Sequence, residues 1–366
     1  MSGPRLFQPI EIGGLRLPNR IVIAPMCQYS ADDGCMNDWH LMHLGQLAQS
    51  GAGMLTIEAA AVLPEGRISN GDVGLWDDRT EAAIARVLEG VRRWSDMPIA
   101  IQLGHAGRKA SVQRPWEGAA QIAPDAPGGW QTVSASTIPF AKGQNPPVAL
   151  DHGGIARIVD AFGAAAERVA RLGIDAIQIH GAHGYLIHQF LSPLSNQRDD
   201  DYGGSLDNRM RFGLEVFDAV RSGFSAARPV SIRLSGTDWV EGGWDIAQTV
   251  AFAQALEKRG CAAINMSSGG MSPEAAIPLG PGYQVSLARA VREATRMPVV
   301  AVGLITQFEH AEGILAAGDA DMIGLARGIV YNPRWPWHAA AHFGVQIKVA
   351  PQFHRMAPRA HARLFV

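Results

Sequence analysis

Two histidines and a tyrosine follow a short apolar run in the middle of the chain. The run covers 176–179, and His180, His183 and Tyr185 come directly after it. Imidazoles donate hydrogen bonds, and a phenol with a pKa of about 10 is a poor base but a usable acid toward a carbanion. The set predicts either two donors converging on one substrate oxygen with a proton donor beside them, or a polar cluster that braces the following loop.

The spacing of the two histidines also occurs in metal sites. Zinc would need a third ligand, for which His105 and Glu58 are loose candidates. A zinc-dependent barrel hydrolase using His180, His183 and His105 therefore stays open as a second hypothesis.

Eight strand-like apolar runs alternate with helix-like segments along the chain. The runs lie at 20–25, 54–59, 99–105, 176–180, 230–235, 263–267, 299–303 and 322–326. Nearly continuous apolar runs are typical of strands buried on both faces, and strand–helix repeats produce parallel strands with right-handed crossovers. Eight repeats predict a single (β/α)8 barrel over residues 1–366. A doubly wound sheet is less favoured because no G-x-G-x-x-G follows the first strand.

Helix starts are visible between these runs. We expect Thr80 and Asp151 to cap two of the helices, and Thr306 with Glu309 to form a capping box at a third. Such helix starts place the polar strand ends at one rim of the barrel.

One segment, 106–150, has no helical period and is rich in proline and glycine. Long irregular segments inside a domain are usually functional. Because this one follows the third strand, we expect it to form a lid over the barrel mouth.

Polar residues interrupt the apolar runs at Gln102 and Arg233. A buried arginine needs an anion, either a carboxylate such as Glu58 or a ligand. Gly303 and Arg327, at the ends of the last two strands, predict the phosphate site that many barrels place there, with a surface ion pair of Arg327 as the alternative. Together these features favour a phosphorylated planar cofactor, and FMN fits. Its pyrimidine edge can form hydrogen bonds with an amide side chain, and its anionic reduced ring can pair with the arginine.

Composition excludes several other classes of protein. The chain is 47% hydrophobic and 18% charged with a formal charge of -2, and no basic stripe predicts nucleic-acid binding. No apolar run reaches the roughly 18 residues that span a membrane. Three cysteines without a C-x-x-C pair argue against a disulfide scaffold or an all-cysteine iron–sulfur site, and indicate a cytoplasmic protein.

Several motifs together resemble the Old Yellow Enzyme family, and within it the thermophilic-like ene-reductases near xenobiotic reductase. The motifs are PMCQY at 25–29, QLGHAGRK at 102–109, HGAHGY at 180–185, FLSPLSN at 190–196, and DYGGS at 201–205 followed by NR at 208–209. The match runs in the right order from about residue 6 to residue 355. Gly104 and Ala326 depart mildly from the family pattern, and the chain continues past Arg355 to Val366.

The resemblance implies a role for each matching residue. Tyr185 would donate a proton, while His180 and His183 would hold the activating oxygen of the substrate together with Tyr29. Cys27 would lie beside the flavin and tune its potential. The implied FMN contacts are Ala24, Pro25, Met26, Cys27, Ala59, Gln102, Arg233, Gly303, Ala326 and Arg327.

The implied activity is that of an FMN-dependent ene-reductase. NADPH or NADH would reduce the flavin, which would pass hydride to the β-carbon of an activated alkene such as an enone, a maleimide or a nitro compound. No metal is implied. Arg355 would reach into the site of a neighbouring subunit of a homodimer or homotetramer. A non-catalytic flavin-binding barrel stays open as a further alternative.

Overall fold

Eight of the strands close into a parallel barrel in the computed structural model, which describes residues 3–366. The order around the barrel is β10-β11-β12-β3-β4-β5-β8-β9, so the predicted (β/α)8 fold is confirmed. The strands are β1 (Ile10–Ile12), β2 (Leu15–Leu17), β3 (Ile21–Ile23), β4 (Met54–Ala61), β5 (Ile99–Gly104), β6 (Val133–Ser134), β7 (Val148–Ala149), β8 (Ala176–Gly181), β9 (Val230–Ser235), β10 (Ile264–Ser267), β11 (Val299–Ala301) and β12 (Met322–Leu325).

Helices follow the barrel strands and cover the outside of the barrel. They are α1 (Asp38–Leu47), α2 (Asp78–Arg92), α3 (His152–Arg171), α4 (Leu186–Leu191), α5 (Leu206–Gly223), α6 (Ile246–Glu257), α7 (Val285–Ala294), α8 (Phe308–Ala317), α9 (Arg327–Tyr331) and α10 (Trp335–Phe343). Within residues 3–366, none of these helices is long and apolar enough to cross a membrane.

The helix starts agree with the sequence at one of the three expected caps. The Asp151 carboxylate accepts the N–H of Gly154 at 2.7 Å, as expected. Thr80 is instead the third residue of α2, because the Asp77 carboxylate is available to accept its N–H at 2.8 Å. The capping box expected at Thr306 is wrong: α8 begins after Gln307 without a side-chain cap, and the Thr306 carbonyl accepts the indole N–H of Trp335.

The interior of the barrel changes from apolar to polar toward the carboxyl ends of its strands. The apolar floor contains Val22, Met54, Ala100, Ala176, Ala263, Val300 and Met322, and the β1–β2 hairpin seals it from below with Ile12 and Leu17. Side chains two residues apart on a strand share a face. The next inward positions after four of these floor residues are Thr56, Gln102, Gln178 and Asn265, all buried. The strands therefore carry buried polar groups up to the barrel mouth.

The segment 106–150 leaves the barrel after β5 and is fastened to the strand ends. It contains 3-10 turns at Gly107–Lys109 and Pro115–Glu117 and the two short paired strands β6 and β7. Arg108 of this segment donates to the Met271 carbonyl after β10 at 2.8 Å, and the Ser134 hydroxyl donates to the buried Gln189 of α4 at 3.0 Å.

Candidate active site

The end of β8 brings together the two histidines and the tyrosine. The ring of His180 lies edge-on to those of His183 and Tyr185, with centroid distances of 5.1 and 4.8 Å. His183 and Gly184 both have positive φ, 58° and 71°. This left-handed turn redirects the chain directly after the strand. The side chains of His180, His183 and Tyr185, which a continued strand would separate, therefore share one wall of the site.

Both histidines are held neutral. Burial, with the nearby positive charge of Arg233, lowers the pKa of His180 and that of His183 well below the usual value. The Nδ1 atom of His180 accepts the N–H of Ala182 at 3.3 Å. A neutral imidazole that accepts at Nδ1 carries its proton on Nε2, so His180 presents an N–H donor.

Ser267 and Ser235 fix His183 from the neighbouring strands. The Nε2 atom of His183 lies 2.7 Å from the Ser267 hydroxyl oxygen, and its backbone N–H donates to the Ser235 hydroxyl at 3.0 Å. Neither serine was assigned a role from the sequence, although Ser267 ends β10 at the same rim and the strand pattern alone could have placed it there.

Tyr185 keeps its proton at neutral pH. Burial raises the pKa of its phenol well above the usual value, and the nearby Cys27 adds to the effect. A neutral phenol held against His180 is able to act as a proton donor.

The segment after β3 forms a second wall. Tyr29 has a φ of 52°, and its ring meets Trp116 of the segment 106–150 edge-on at 6.2 Å. The preceding N–H, that of Gln28, donates to the Glu58 carboxylate at 2.8 Å. Burial raises the pKa of the Cys27 thiol, which is therefore protonated at neutral pH.

Arg233 has a buried guanidinium without an acidic partner among residues 3–366. The alternative that Glu58 neutralises it is wrong, since the Glu58 carboxylate faces His40 at 3.5 Å and accepts the Gln28 N–H. The Nε of Arg233 has no acceptor, and neither end of the Asn265 amide, beside it in the sheet register, has a partner among the described residues. Buried donors without acceptors fit a ligand that offers carbonyl or anionic groups.

The other residues expected at a flavin surround the same mouth. Ala24 and Pro25 are buried and Met26 half-buried after β3, Ala59 follows a bulge in β4, and the Gln102 amide donates to Gln178 at 2.7 Å. Gly303, Ala326 and Arg327 lie at the ends of β11 and β12. Gly303 has a φ of 116°, and a Cβ there would lie 2.9 Å from the Gln284 amide nitrogen, so a side chain would fill this narrow space.

Two further expectations concern Arg327 and Arg355. Arg327 is exposed at the start of α9 and makes no ion pair with residues 3–366, so the surface ion pair considered for it is wrong. Arg355 is exposed on the turn Pro351–Met356, and no hydrogen bond joins it to the His/His/Tyr set within the described chain.

The zinc alternative lacks a ligand set. Among residues 3–366 there is no group of three His, Cys, Asp or Glu side chains placed to hold a metal ion. His105, the third ligand considered, uses Nδ1 to accept the N–H of Gly107 at 3.1 Å.

Fold and site together define a barrel oxidoreductase with buried donors for a flavin. The model of the NADH:flavin oxidoreductase / NADH oxidase family matches residues 5–345. An NADPH dehydrogenase of Bacillus licheniformis is 41% identical over 357 residues, which cover 97% of this chain and 99% of that protein.

Two solved structures extend the comparison. A morphinone reductase superposes with a TM-score of 0.78 at 29% identity, covering 100% of this chain and 97% of its own. The old yellow enzyme homologue from Zymomonas mobilis gives a TM-score of 0.75 at 27% identity, covering 91% of both chains.

The chain belongs to the NADH:flavin oxidoreductase / NADH oxidase family, which confirms the resemblance to the Old Yellow Enzymes. It is an enzyme whose cofactor is FMN and whose hydride donor is a reduced nicotinamide.

Proposed function

We propose that the protein is an ene-reductase that reduces the carbon–carbon double bond of an alkene conjugated to a carbonyl or nitro group. The observation that carries this proposal is the neutral donor set at the barrel mouth. His180 presents an Nε2–H beside the His183 ring, and the protonated Tyr185 packs against His180. The reductase names of the structural neighbours support it.

The residues that would hold FMN each have a physical reason to do so. The Arg233 guanidinium has a buried Nε without an acceptor, and Gln102 provides a buried amide two strands away in the barrel. Gly303 leaves room at the rim, and the exposed Arg327 provides a cation for the phosphate. Ala24, Pro25, Met26, Cys27, Ala59 and Ala326 would line the remaining contacts. Bound FMN, reduced by NADPH or NADH, supplies the hydride for the β-carbon.

The chain's own residues would polarise and protonate the substrate. His180 and His183 donate hydrogen bonds to the substrate oxygen and draw electron density away from the β-carbon. Tyr29, on the wall formed by the segment after β3, helps to hold the oxygen-bearing end. Tyr185 gives its phenolic proton to the α-carbon, and the Tyr O–H bond breaks as the new C–H bond forms.

The segment 106–150 would act as a lid and exclude water from this site. It is connected to both walls by Trp116 against Tyr29, by Arg108 on the Met271 carbonyl and by Ser134 on Gln189. A closed site strengthens the hydrogen bonds from His180 and His183 because the local dielectric is lower.

An absorption spectrum of the purified, desalted protein tests the proposal first. Anaerobic NADPH should bleach a yellow protein, and cyclohexenone should then restore the colour. Yellow that never bleaches would support the non-catalytic flavin barrel. A protein that bleaches with NADPH but stays bleached with enones, maleimides and nitroalkenes would contradict the alkene substrate.

Variants test the assigned roles. Tyr185→Phe should slow reoxidation by cyclohexenone while it spares reduction by NADPH. His180→Ala combined with His183→Ala should lower enone turnover by about 10²–10³. Equal slowing of both half-reactions by Tyr185→Phe would indicate misplacement of the loop instead of a lost acid.

A further inference from the structure

Lys109 is a largely buried cation beside Tyr185, the proposed proton donor. It ends the 3-10 turn after β5, and its Nζ donates to the carbonyls of His183 and Gly270 at 2.8 and 2.9 Å. Those two carbonyls belong to the left-handed turns after β8 and β10. One ammonium group therefore joins both loops that shape the site.

The same ammonium group lies against two aromatic rings. Its Nζ is 5.2 Å from the ring centroid of Tyr185 and 4.6 Å from that of Phe140, which belongs to the segment 106–150. Cations within about 6 Å of a ring centroid are attracted by the electrons of the ring. Lys109, itself near the start of this segment, thus contacts both the Tyr185 ring and a ring farther along the proposed lid.

No carboxylate neutralises Lys109 within the described chain. The titratable and charged groups around it are Arg108 on its own turn, His183 and Tyr185 on the β8 loop, and His180 on β8 itself. The other contacts are uncharged: the β10 loop offers a carbonyl, and the segment 106–150 offers a phenyl ring. Burial, with Arg108 as a further cause, lowers the pKa of Lys109 to about 8. A cation kept here without an acid is available to an anion that forms during the reaction.

We propose that Lys109 is a positioning residue for proton transfer, which fixes the Tyr185 loop and stabilises the phenolate that Tyr185 becomes when it protonates the α-carbon. The inference rests on the proposed function. In this step the Tyr185 O–H bond breaks and the α-carbon gains a C–H bond. The negative charge moves from the substrate enolate to the phenol oxygen, and solvent water later returns the proton. Because this charge develops beside a fixed cation, the transition state gains more than the ground state.

A double-mutant cycle separates this role from simple bracing of the loop. Lys109→Met, Tyr185→Phe and the double variant are reduced with NADPH and reoxidised anaerobically with cyclohexenone. We expect Lys109→Met alone to slow reoxidation by about 10- to 100-fold and reduction by less than about twofold. In the Tyr185→Phe background the further loss should be less than about threefold. The exposed Lys142→Met, which also removes a lysine from the segment 106–150, is the matched control and should behave as wild type.

A nitroalkene provides a second comparison. Hydride addition to a nitroalkene gives a nitronate that persists without protonation at carbon, so reoxidation by a nitroalkene does not need the phenolic proton. Lys109→Met should therefore slow reoxidation by the enone far more than by the nitroalkene. Equal slowing with both acceptors would overturn the proposal.

Lys109→Arg tests the charge. Lys109 loses its proton as pH rises through about 8, so enone reoxidation by wild type should fall on that alkaline limb. Lys109→Arg should keep the rate to higher pH, and Lys109→Met should lack the limb. Hydrogen–deuterium exchange of the β8 and β10 loops should rise in Lys109→Met and stay near wild type in Lys109→Arg, because the two carbonyls keep a donor.

The outcomes distinguish a failure of the proposed function from a failure of the role of Lys109. Wild type that fails to turn over enones contradicts the proposed function. Wild type that turns over while Lys109→Met and Tyr185→Phe act additively, with equal effects on both half-reactions, leaves the function intact and overturns the role of Lys109.

Discussion

Removal from water sets the charge state of almost every titratable side chain at the barrel mouth. Burial lowers the pKa of His180 and His183 and raises those of Tyr185 and Cys27. All four groups are therefore neutral near pH 7, while Arg233 keeps its proton with a pKa of about 10. The site offers neutral donors together with the buried cation of Arg233, which suits an oxygen and an anionic ring better than a metal ion.

The histidine pKa values predict the pH dependence of substrate binding. Because His180 and His183 stay neutral down to well below pH 6.5, enone affinity should change by less than about twofold from pH 6 to 7.5. Titration of the oxidised protein with an enone-like phenol at each pH measures it. A limb centred near pH 6.5 would show that a histidine must gain or lose a proton, against the neutral-donor assignment.

Glu58 predicts a pH dependence of stability. Burial raises the pKa of its carboxyl from 4.5 to about 8, so the folded protein binds this proton more tightly than the unfolded chain does. The stabilisation is complete below pH 4.5 and is lost as pH rises through 8. Glu58→Gln keeps an acceptor for the Gln28 N–H without an ionisable group.

The free energy of unfolding of Glu58→Gln should exceed that of wild type by less than about 1 kcal/mol at pH 5 and by about 3 kcal/mol at pH 7. Urea denaturation at both pH values measures the difference. The exposed Glu241→Gln is the control. If the difference in free energy of unfolding shrinks with rising pH, the pKa of Glu58 is not raised in the folded protein.

At the scale of elements, the site depends on the close approach of two loops. Gly184 after β8 and Gly270 after β10 both have positive φ, and a Cβ on Gly184 would lie 2.1 Å from the Gly270 carbonyl oxygen. The loops approach this closely because neither carries a side chain at the contact. Lys109 then bridges the carbonyls of His183 and Gly270.

Gly184→Ala should therefore be far more destabilising than a positive φ alone explains. Gly242 is the matched control, because its φ is 73° and a Cβ there meets no atom within 4 Å. We expect Gly242→Ala to lower the free energy of unfolding by about 1–2 kcal/mol and Gly184→Ala by about 3–5 kcal/mol. Chemical denaturation of both variants compares them. Equal losses would mean that the loops separate without strain.

Strand patterns predicted most of the site because a barrel converts sequence order into position. His180 lies two positions after the buried Gln178, and Gln102 lies two positions after the buried Ala100. Both side chains therefore face the barrel interior, and the sequence alone placed them at the mouth. The partners of His183 and Tyr185 were not predicted. Ser267 lies on β10 and Lys109 in the turn after β5, and their contacts depend on left-handed turns at His183 and Gly270 that the sequence pattern does not specify. The helix start expected at Thr80 was wrong because Asp77, three residues earlier, caps the helix and accepts the Thr80 N–H.

At the scale of the whole molecule, the residues beyond Arg355 fold back onto α10 and the segment that follows it. Ile347 donates its N–H to the Leu364 carbonyl at 2.8 Å, and Trp337 packs against Phe353 and Phe365 at 5.2 and 4.8 Å between ring centroids. The residues between Ile347 and Leu364 thus form a loop that is tied at its base and carries Arg355 on its exposed part. Arg355 is exposed on this loop, in keeping with the proposal that it serves a second copy of the chain.

Mixed oligomers test that proposal. If Arg355 completes the neighbouring site, a subunit with Arg355→Ala keeps a working Tyr185 and receives its arginine from a Tyr185→Phe partner. The two variants, coexpressed with different tags and purified through both, should regain up to about half of wild-type enone turnover per site, because one site in each mixed pair is then intact. The controls are oligomers of either variant alone and a mixture of the separately purified variants, assayed before their subunits exchange. Activity equal to the average of the two variants would mean that Arg355 acts within its own chain or not at all.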